Sequence, residues 1–256
     1  MPHFAVIGNP AHHSKSPLIH QLFAEQTGIA LTYTTLEVEN ADFKQTVLNF
    51  PGQGLNVTQP YKQQACHLVD KLSDRAQRAQ AINTIKYNVD GSRYGDNTDG
   101  AGLIKDLTIN KQLILKDKQI LILGAGGAAR GIIQSLLNES PANLIIANRT
   151  YAKAVALAHQ FNEPIACPLA DLANHPVDLV INAANLTAVP PINLIAKSCC
   201  YDLSYGQATP FLQWAKQQGI NHWDGIGMLV EQAAAAFFVW HNIYPDTKRA
   251  LQILAN

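Results

Sequence analysis

Gln119-Ile120-Leu121-Ile122-Leu123 runs directly into Gly124-Ala125-Gly126-Gly127-Ala128-Ala129-Arg130-Gly131. A short apolar run followed at once by a glycine-rich turn and a helical segment, Ala128–Leu137, reads as strand, turn and helix. The spacing fits G-x-G-x-x-A, in which Gly124 permits the tight turn, Gly126 lets the backbone approach a pyrophosphate, and Ala129 allows close helix–strand packing. Gly127 and Ala128, at the start of the helix, complete a cradle whose N–H groups suit phosphate. A glycine-rich turn without a ligand is the alternative, and the strand before it and the helix after it weigh against that.

An NAD-binding unit carries an acidic residue about 20 positions beyond its glycines, for the ribose hydroxyls. This chain instead has Asn148-Arg149-Thr150, with Lys153 one turn later. Arg149 can fork two hydrogen bonds to a 2′-phosphate and Lys153 can add a second positive charge, so the segment favours NADP over NAD. Ordinary solvated cations are the competing reading, but a helix start disfavours cations unless an anion is near.

On either side of this stretch, short apolar runs alternate with helical ones, the pattern of parallel sheets with crossover helices. Strands are expected at His3–Gly8, Thr32–Glu37, Gly54–Val57 and Thr84–Asn88, with helices at Pro17–Thr27, Ala41–Asn49 and Tyr61–Leu68. A second group follows, with strands at Gln119–Leu123, Asn143–Ala147, Leu179–Asn182 and Cys199–Asp202 and helices at Ala128–Leu137 and Tyr151–Phe161. The fold class is therefore α/β in two domains, the second of Rossmann type. Domain bounds of 1–100 and 101–226 are expected, with helical patterns at Gly227–Asn242 and Thr247–Ala255 closing the chain.

Bulk composition narrows the partners. In 256 residues, 19 basic side chains balance 19 acidic ones, leaving no field to attract nucleic acid or an anionic membrane. Met1-Pro2-His3-Phe4 and Ala5-Val6-Ile7 lack the features of a signal peptide, and no apolar run approaches the roughly 18 residues that span a bilayer. Cys66, Cys167, Cys199 and Cys200 have neither zinc nor disulfide spacing, and the histidines show no ligand spacing, so no metal is expected and a reducing cytoplasm fits.

Three polar clusters stand where strands of the first domain end, the place where open α/β sheets bind ligands. They are Ser14-Lys15-Ser16-Pro17, Asn56-Val57-Thr58-Gln59-Pro60-Tyr61-Lys62, and Asn83-Thr84 with Asn97-Thr98-Asp99. Each alone could be a cap or a turn. Together with Gly8-Asn9-Pro10, Gly95–Gly100, Gly124–Ala128, Asn148-Arg149-Thr150 and Asp224-Gly225-x-Gly227-Met228-Leu229-Val230-x-Gln232-Ala233, all in order, they resemble the NADP-dependent shikimate dehydrogenase family over nearly the whole chain.

The resemblance implies an N-terminal substrate domain completed by the C-terminal helices of 227–256, an NADP-binding domain, and a cleft between them. It assigns Lys62 and Asp99 as the catalytic pair. It assigns Ser14, Ser16, Asn56, Thr58, Asn83, Tyr205 and Gln232, together with Asp99, to the carboxylate and hydroxyls of a small substrate, shikimate or 3-dehydroshikimate. Gly225 and Met228 join the cofactor residues, and the enzyme is expected to work as a monomer or homodimer. Asn182-Ala183-Ala184 departs from the family's Asn-Ala-Thr, and the loop to Pro191 lacks its usual glycine. Gln59 and Tyr61 stand where Val and Phe are common. A broader quinate/shikimate dehydrogenase and a catalytically silent ligand sensor remain the competing readings, and retention of both Lys62 and Asp99 weighs against the sensor.

Overall fold

The computed structural model describes residues 1–254, so the last residue of the helix expected at Thr247–Ala255 and the last two of the expected 227–256 segment lie outside the described residues. The chain divides into two compact units, Met1–Leu103 with the segment from Leu229 onward, and Ile104–Met228.

The first unit contains β1 (His3–Gly8), α1 (Ser16–Thr27), β2 (Thr32–Glu37), α2 (Asn40–Leu48), β3 (Gly54–Val57), β4 (Lys71–Leu72), α3 (Asp74–Ala79), β5 (Thr84–Tyr87), β6 (Arg93–Asp96) and the start of α4 (Asp99–Lys105). Its six strands lie in the order β2-β1-β3-β5-β6-β4. β1 is parallel to both β2 and β3, but β5 is antiparallel to β3 and β6, a departure from all-parallel pairing. For β5 and β6 the reason is the connection, a turn in which Gly91 N–H donates to Asn88 C=O, too short for a crossover helix.

The expected helix Tyr61–Leu68 is also corrected. The chain makes a turn there and then a 3-10 helix over Gln64–Leu68. The Lys62 carbonyl accepts the N–H of Ile82, while the Cys66 N–H that an α-helix would send to it bonds Gln63 C=O instead. A tertiary hydrogen bond thus interrupts the local ladder.

Both faces of β1 are buried. Ala5 and Ile7 pack with Phe43, Val47, Leu55, Val57 and Tyr61, whereas Phe4 packs with Ala236 and Trp240. The last residues come from α8 (Ile226–His241), whose Val230, Ala233, Ala234 and Phe237 meet Ile19, Leu22 and Phe23 of α1 and Ala250 of α9 (Lys248–Leu254).

The second unit holds β7 (Gln119–Leu123), α5 (Gly127–Asn138), β8 (Asn143–Ala147), α6 (Tyr151–Phe161), β9 (Ile165–Cys167), β10 (Pro176–Asn182), β11 (Asn193–Asp202), α7 (Pro210–Gln217) and β12 (Asn221–Trp223). All its strand pairs are parallel, in the order β12-β11-β10-β7-β8-β9. Sheet growth reverses between β7 and β10, which opens a crevice at their C-terminal ends in a doubly wound sheet. β9, α7 and β12 were not anticipated, and β10 and β11 begin earlier than expected. Among the described residues no helix is long and apolar enough to cross a membrane, and no group of His, Cys, Asp and Glu has a metal-binding arrangement.

Candidate functional site

Lys62, just past the end of β3, and Asp99, the first residue of α4, are 37 positions apart, yet Lys62 Nζ donates to Asp99 Oδ2 at 2.7 Å. The carboxylate is almost fully buried and the lysine side chain is 17% exposed, so the pair is shielded but reachable. Asp99 Oδ1 accepts from Asn83 Nδ2 at 2.8 Å, and the Asp99 N–H donates to Asn97 Oδ1 at 3.1 Å. Asn97 is fixed in turn by donating to Ala81 C=O at 2.8 Å. The carboxylate is therefore held by a neutral donor on one oxygen and by a cation on the other.

Asn83 is the hub of this cluster. Its Nδ2 lies 2.8 Å from Thr98 Oγ1, 2.8 Å from Asp99 Oδ1 and 3.1 Å from Gln232 Oε1, three acceptors competing for two hydrogens. Its Oδ1 accepts the Thr98 N–H at 2.8 Å and the Thr84 hydroxyl at 2.9 Å. Asn56 Nδ2 donates to Asn83 C=O at 3.1 Å and Thr84 Oγ1 at 3.2 Å, while Asn56 Oδ1 accepts from the Tyr33 hydroxyl at 2.7 Å. Lys62, Asn56, Asn83, Asp99 and Gln232 are thus one hydrogen-bonded group.

Ser14, Ser16 and Thr58 lie at neighbouring strand ends of the same unit. Ser16 N–H donates to Ser14 Oγ at 3.2 Å at the entry to α1, and Thr58 N–H donates to Ile7 C=O at 2.9 Å. Gly8 allows this approach, because a Cβ there would lie 2.3 Å from Thr58 Cγ2. Tyr61 replaces the expected apolar residue without loss of burial. Its ring stacks on Phe43 at 4.2 Å and its hydroxyl donates to Val38 C=O at 2.6 Å.

In the second unit, Gly124 has φ of +115°, and a Cβ on it would lie 2.8 Å from Ala183 C=O, so the turn is both left-handed and crowded. Gly126 has open space where a Cβ would stand, and Gly127 begins α5. Ala128 is half-buried and Ala129 fully buried. Asn148 leaves the end of β8 and its Nδ2 donates to Thr150 C=O at 2.9 Å, which shapes the turn into α6. Arg149, Thr150 and Lys153 are exposed there, and neither cation is ion-paired among the described residues. A cradle open above Gly126 and two cations at a helix start fit a dinucleotide carrying a 2′-phosphate.

Tyr205 sits half-buried in the loop after β11, in the second unit. Gly225 packs on Leu203, where a Cβ would lie 2.3 Å from the carbonyl oxygen, and the Met228 N–H donates to the Tyr201 hydroxyl at 3.1 Å. That hydroxyl donates to buried Asp106 Oδ2 at 2.7 Å. The departing loop is packed, with Leu186, Val189 and Ile192 against the core of this unit and Ala184 N–H donating to Asn182 Oδ1 at 3.2 Å. Tyr33, Asp106 and Tyr201 escaped the sequence reading, because their partners Asn56, Tyr201 and Met228 lie far along the chain and no local spacing marks them. Thr84 and Thr98 stood in the polar clusters without a role, and both hydrogen-bond the Asn83 side chain.

Three family models match the chain: the shikimate dehydrogenase substrate binding domain over residues 6–85, shikimate / quinate 5-dehydrogenase over 107–190, and the shikimate 5′-dehydrogenase C-terminal domain over 225–254. The chain is 44% identical to the shikimate dehydrogenase (NADP(+)) of Hahella chejuensis, across 98% of this chain and 97% of that protein. It is 48% identical to the protein of the same name from Legionella pneumophila strain Lens, across 98% and 97%. Among solved structures, the shikimate 5-dehydrogenase of Thermus thermophilus in complex with NADP(H) and shikimate superposes with a TM-score of 0.90 at 30% identity, covering 100% of this chain and 99% of that one.

Proposed function

This chain belongs to the shikimate dehydrogenase family, and on that premise we propose that it catalyses the reversible NADP-linked reduction of 3-dehydroshikimate to shikimate. One observation carries the reading to this chain's own atoms: the shielded Lys62–Asp99 pair at 2.7 Å. A dehydrogenase needs a group that gives a proton to the ketone oxygen in one direction and takes it from the alcohol in the other. Lys62 serves as that group, and Asp99 orients its ammonium while accepting a hydrogen bond from a ring hydroxyl. The nicotinamide of a bound cofactor would supply the hydride as NADPH or accept it as NADP+.

The remaining residues bind and orient. Ser14 and Ser16 take the substrate carboxylate. Asn56, Thr58, Asn83, Tyr205 and Gln232 distinguish the ring hydroxyls by offering paired donors and acceptors. Gly124, Gly126, Gly127 and Ala128 receive the pyrophosphate, Asn148, Arg149, Thr150 and Lys153 the 2′-phosphate end, and Gly225 and Met228 the nicotinamide end. The first unit is then the substrate domain and the second the NADP domain. Four free thiols suit a reducing cytoplasm, where the protein works as a monomer or homodimer.

The test is the loss of NADPH absorbance at 340 nm on adding 3-dehydroshikimate to the purified protein. Turnover dependent on both compounds is expected. Binding of shikimate without turnover would leave a ligand sensor in place of the enzyme.

A further inference from the structure

Glu37 closes β2 in register with Gly8, the residue at which the chain leaves β1 for the segment that carries Ser14 and Ser16. One of its oxygens, Oε2, accepts the N–H of Ala11 at 2.9 Å, the N–H of His12 at 3.1 Å, and His12 Nδ1 at 2.6 Å. Two successive backbone amides on one carboxylate oxygen set the direction of the chain at residues 11 and 12. The Ala11 carbonyl then accepts the Ser14 N–H at 3.0 Å, closing a turn, and Ser14 Oγ accepts the Ser16 N–H at 3.2 Å. The carboxylate, the turn and both serines form one continuous chain of hydrogen bonds. The Ala11 amide, then the His12 ring and the His12 amide, pull the Glu37 carboxyl down to about 2, so it is an anion throughout the working pH range.

We propose that Glu37 is a positioning residue that holds the Ala11–Ser14 turn in the form in which the Ser14 and Ser16 hydroxyls meet the substrate's carboxylate. The inference rests on the reading of those serines given above. The Glu37 carboxylate accepts from two amides and an imidazole, and so acts on the backbone that leads into the serines. A second tie acts on the same segment: Asn9 Nδ2 donates to Val38 C=O at 3.3 Å and to Glu39 Oε1 at 3.2 Å. That tie holds the segment at Asn9, before the turn, and leaves residues 11–14 to Glu37.

Steady-state rates of wild type, Glu37→Ala and Glu37→Gln are to be compared with shikimate and with its methyl ester, which lacks the carboxylate charge. Glu37→Ala should raise the shikimate KM about tenfold while kcat and the NADP KM stay within about twofold. Glu37→Gln keeps one acceptor oxygen and should recover part of the loss. With the methyl ester the difference between wild type and Glu37→Ala should largely disappear. An unchanged shikimate KM, or a parallel fall in kcat and in affinity for both ligands, would overturn the inference. Amide hydrogen exchange at Ala11 and His12 in the ligand-free protein tests the clamp without turnover. Exchange should quicken in Glu37→Ala, and unchanged protection would refute it. A wild-type protein inert toward shikimate, with exchange still quickened, removes the functional reading and the positioning role together but leaves the clamp standing.

Discussion

Lys62 shares Asp99 with Asn83, one oxygen to each, so removing the ammonium leaves the carboxylate hydrogen-bonded and in place. Lys62→Ala is therefore expected to lower kcat by about 10²–10⁴-fold with NADP binding unchanged, as loss of a general acid–base group does. A variant keeping more than a tenth of wild-type turnover would end the catalytic assignment. Asp96, three residues earlier, has a structural pair. Burial pushes its carboxyl up, but Arg75, bonding through Nε at 2.7 Å and a second nitrogen at 2.5 Å, outweighs this with help from Ser73 and the Asn97 N–H, and the group ends below its ordinary 3.8. A lowered carboxyl contributes stability that is present above its unfolded value and lost as pH falls through the folded one. Arg75→Ala should accordingly lose about 1–2 kcal/mol at pH 7, a figure discounted because the arginine side chain is 37% exposed. The Tm gap to wild type should narrow below about pH 3.8. A gap independent of pH would mean that Arg75 acts through packing alone.

Among the elements, α4 and α8 meet where Gly102 faces Gln232. A Cβ on Gly102 would lie 2.5 Å from the Gln232 backbone nitrogen, and backbone cannot swing aside as a side-chain tip can. Gly102→Ala should force the two helices apart, costing about 1–3 kcal/mol by overpacking and withdrawing Gln232 Oε1 from Asn83. Thermal melts and the shikimate KM should both worsen in this variant. A lower Tm with an unchanged KM would show that Gln232 reaches the substrate whatever the helix spacing. Gly227 plays a comparable part, since a Cβ there would lie 2.1 Å from the Asp106 carboxylate. Small residues at helix contacts thus set the positions of the polar groups beside them, a role that composition does not reveal.

For the molecule as a whole, cofactor choice and stability are linked, because a ligand that binds only the native state stabilises it by RT ln(1 + [L]/Kd), about 2.7 kcal/mol at a hundredfold excess over Kd. NADP should raise the Tm of the wild-type protein more than NAD does. Arg149→Asp exchanges an exposed cation at the start of α6 for a carboxylate suited to ribose hydroxyls. The ratio of kcat/KM for NADP to that for NAD should then fall by more than tenfold, since a charge-assisted phosphate contact is worth about 1.5–3 kcal/mol. The NADP-dependent rise in Tm should shrink with it. If both measurements stay at wild-type values, the Asn148–Thr150 turn does not meet the 2′-phosphate.

Local chemistry alone carried a large part of this protein. β1, β2, β3, β7, β8 and α6 fall on the residues expected of them, because each is a run whose apolar pattern and bounding turn residues lie within one window of sequence. The glycines of the β7–α5 turn were legible for the same reason, as φ above zero and close packing demand a residue without Cβ. Asn56, Lys62, Asn83 and Asp99 could be named from the family's motifs, but that they form one hydrogen-bonded group was settled only when β3, β5 and α4 packed together. Tertiary structure alone also decided that the first sheet is mixed, that the Tyr61–Leu68 segment breaks from α-helix at the Lys62 carbonyl, and that Glu37 holds the Ala11–Ser14 turn. In the last two cases the deciding contact joins residues 20 or more positions apart. No local propensity encodes such a contact, because its partners meet only once the strands and turns that carry them have packed into place.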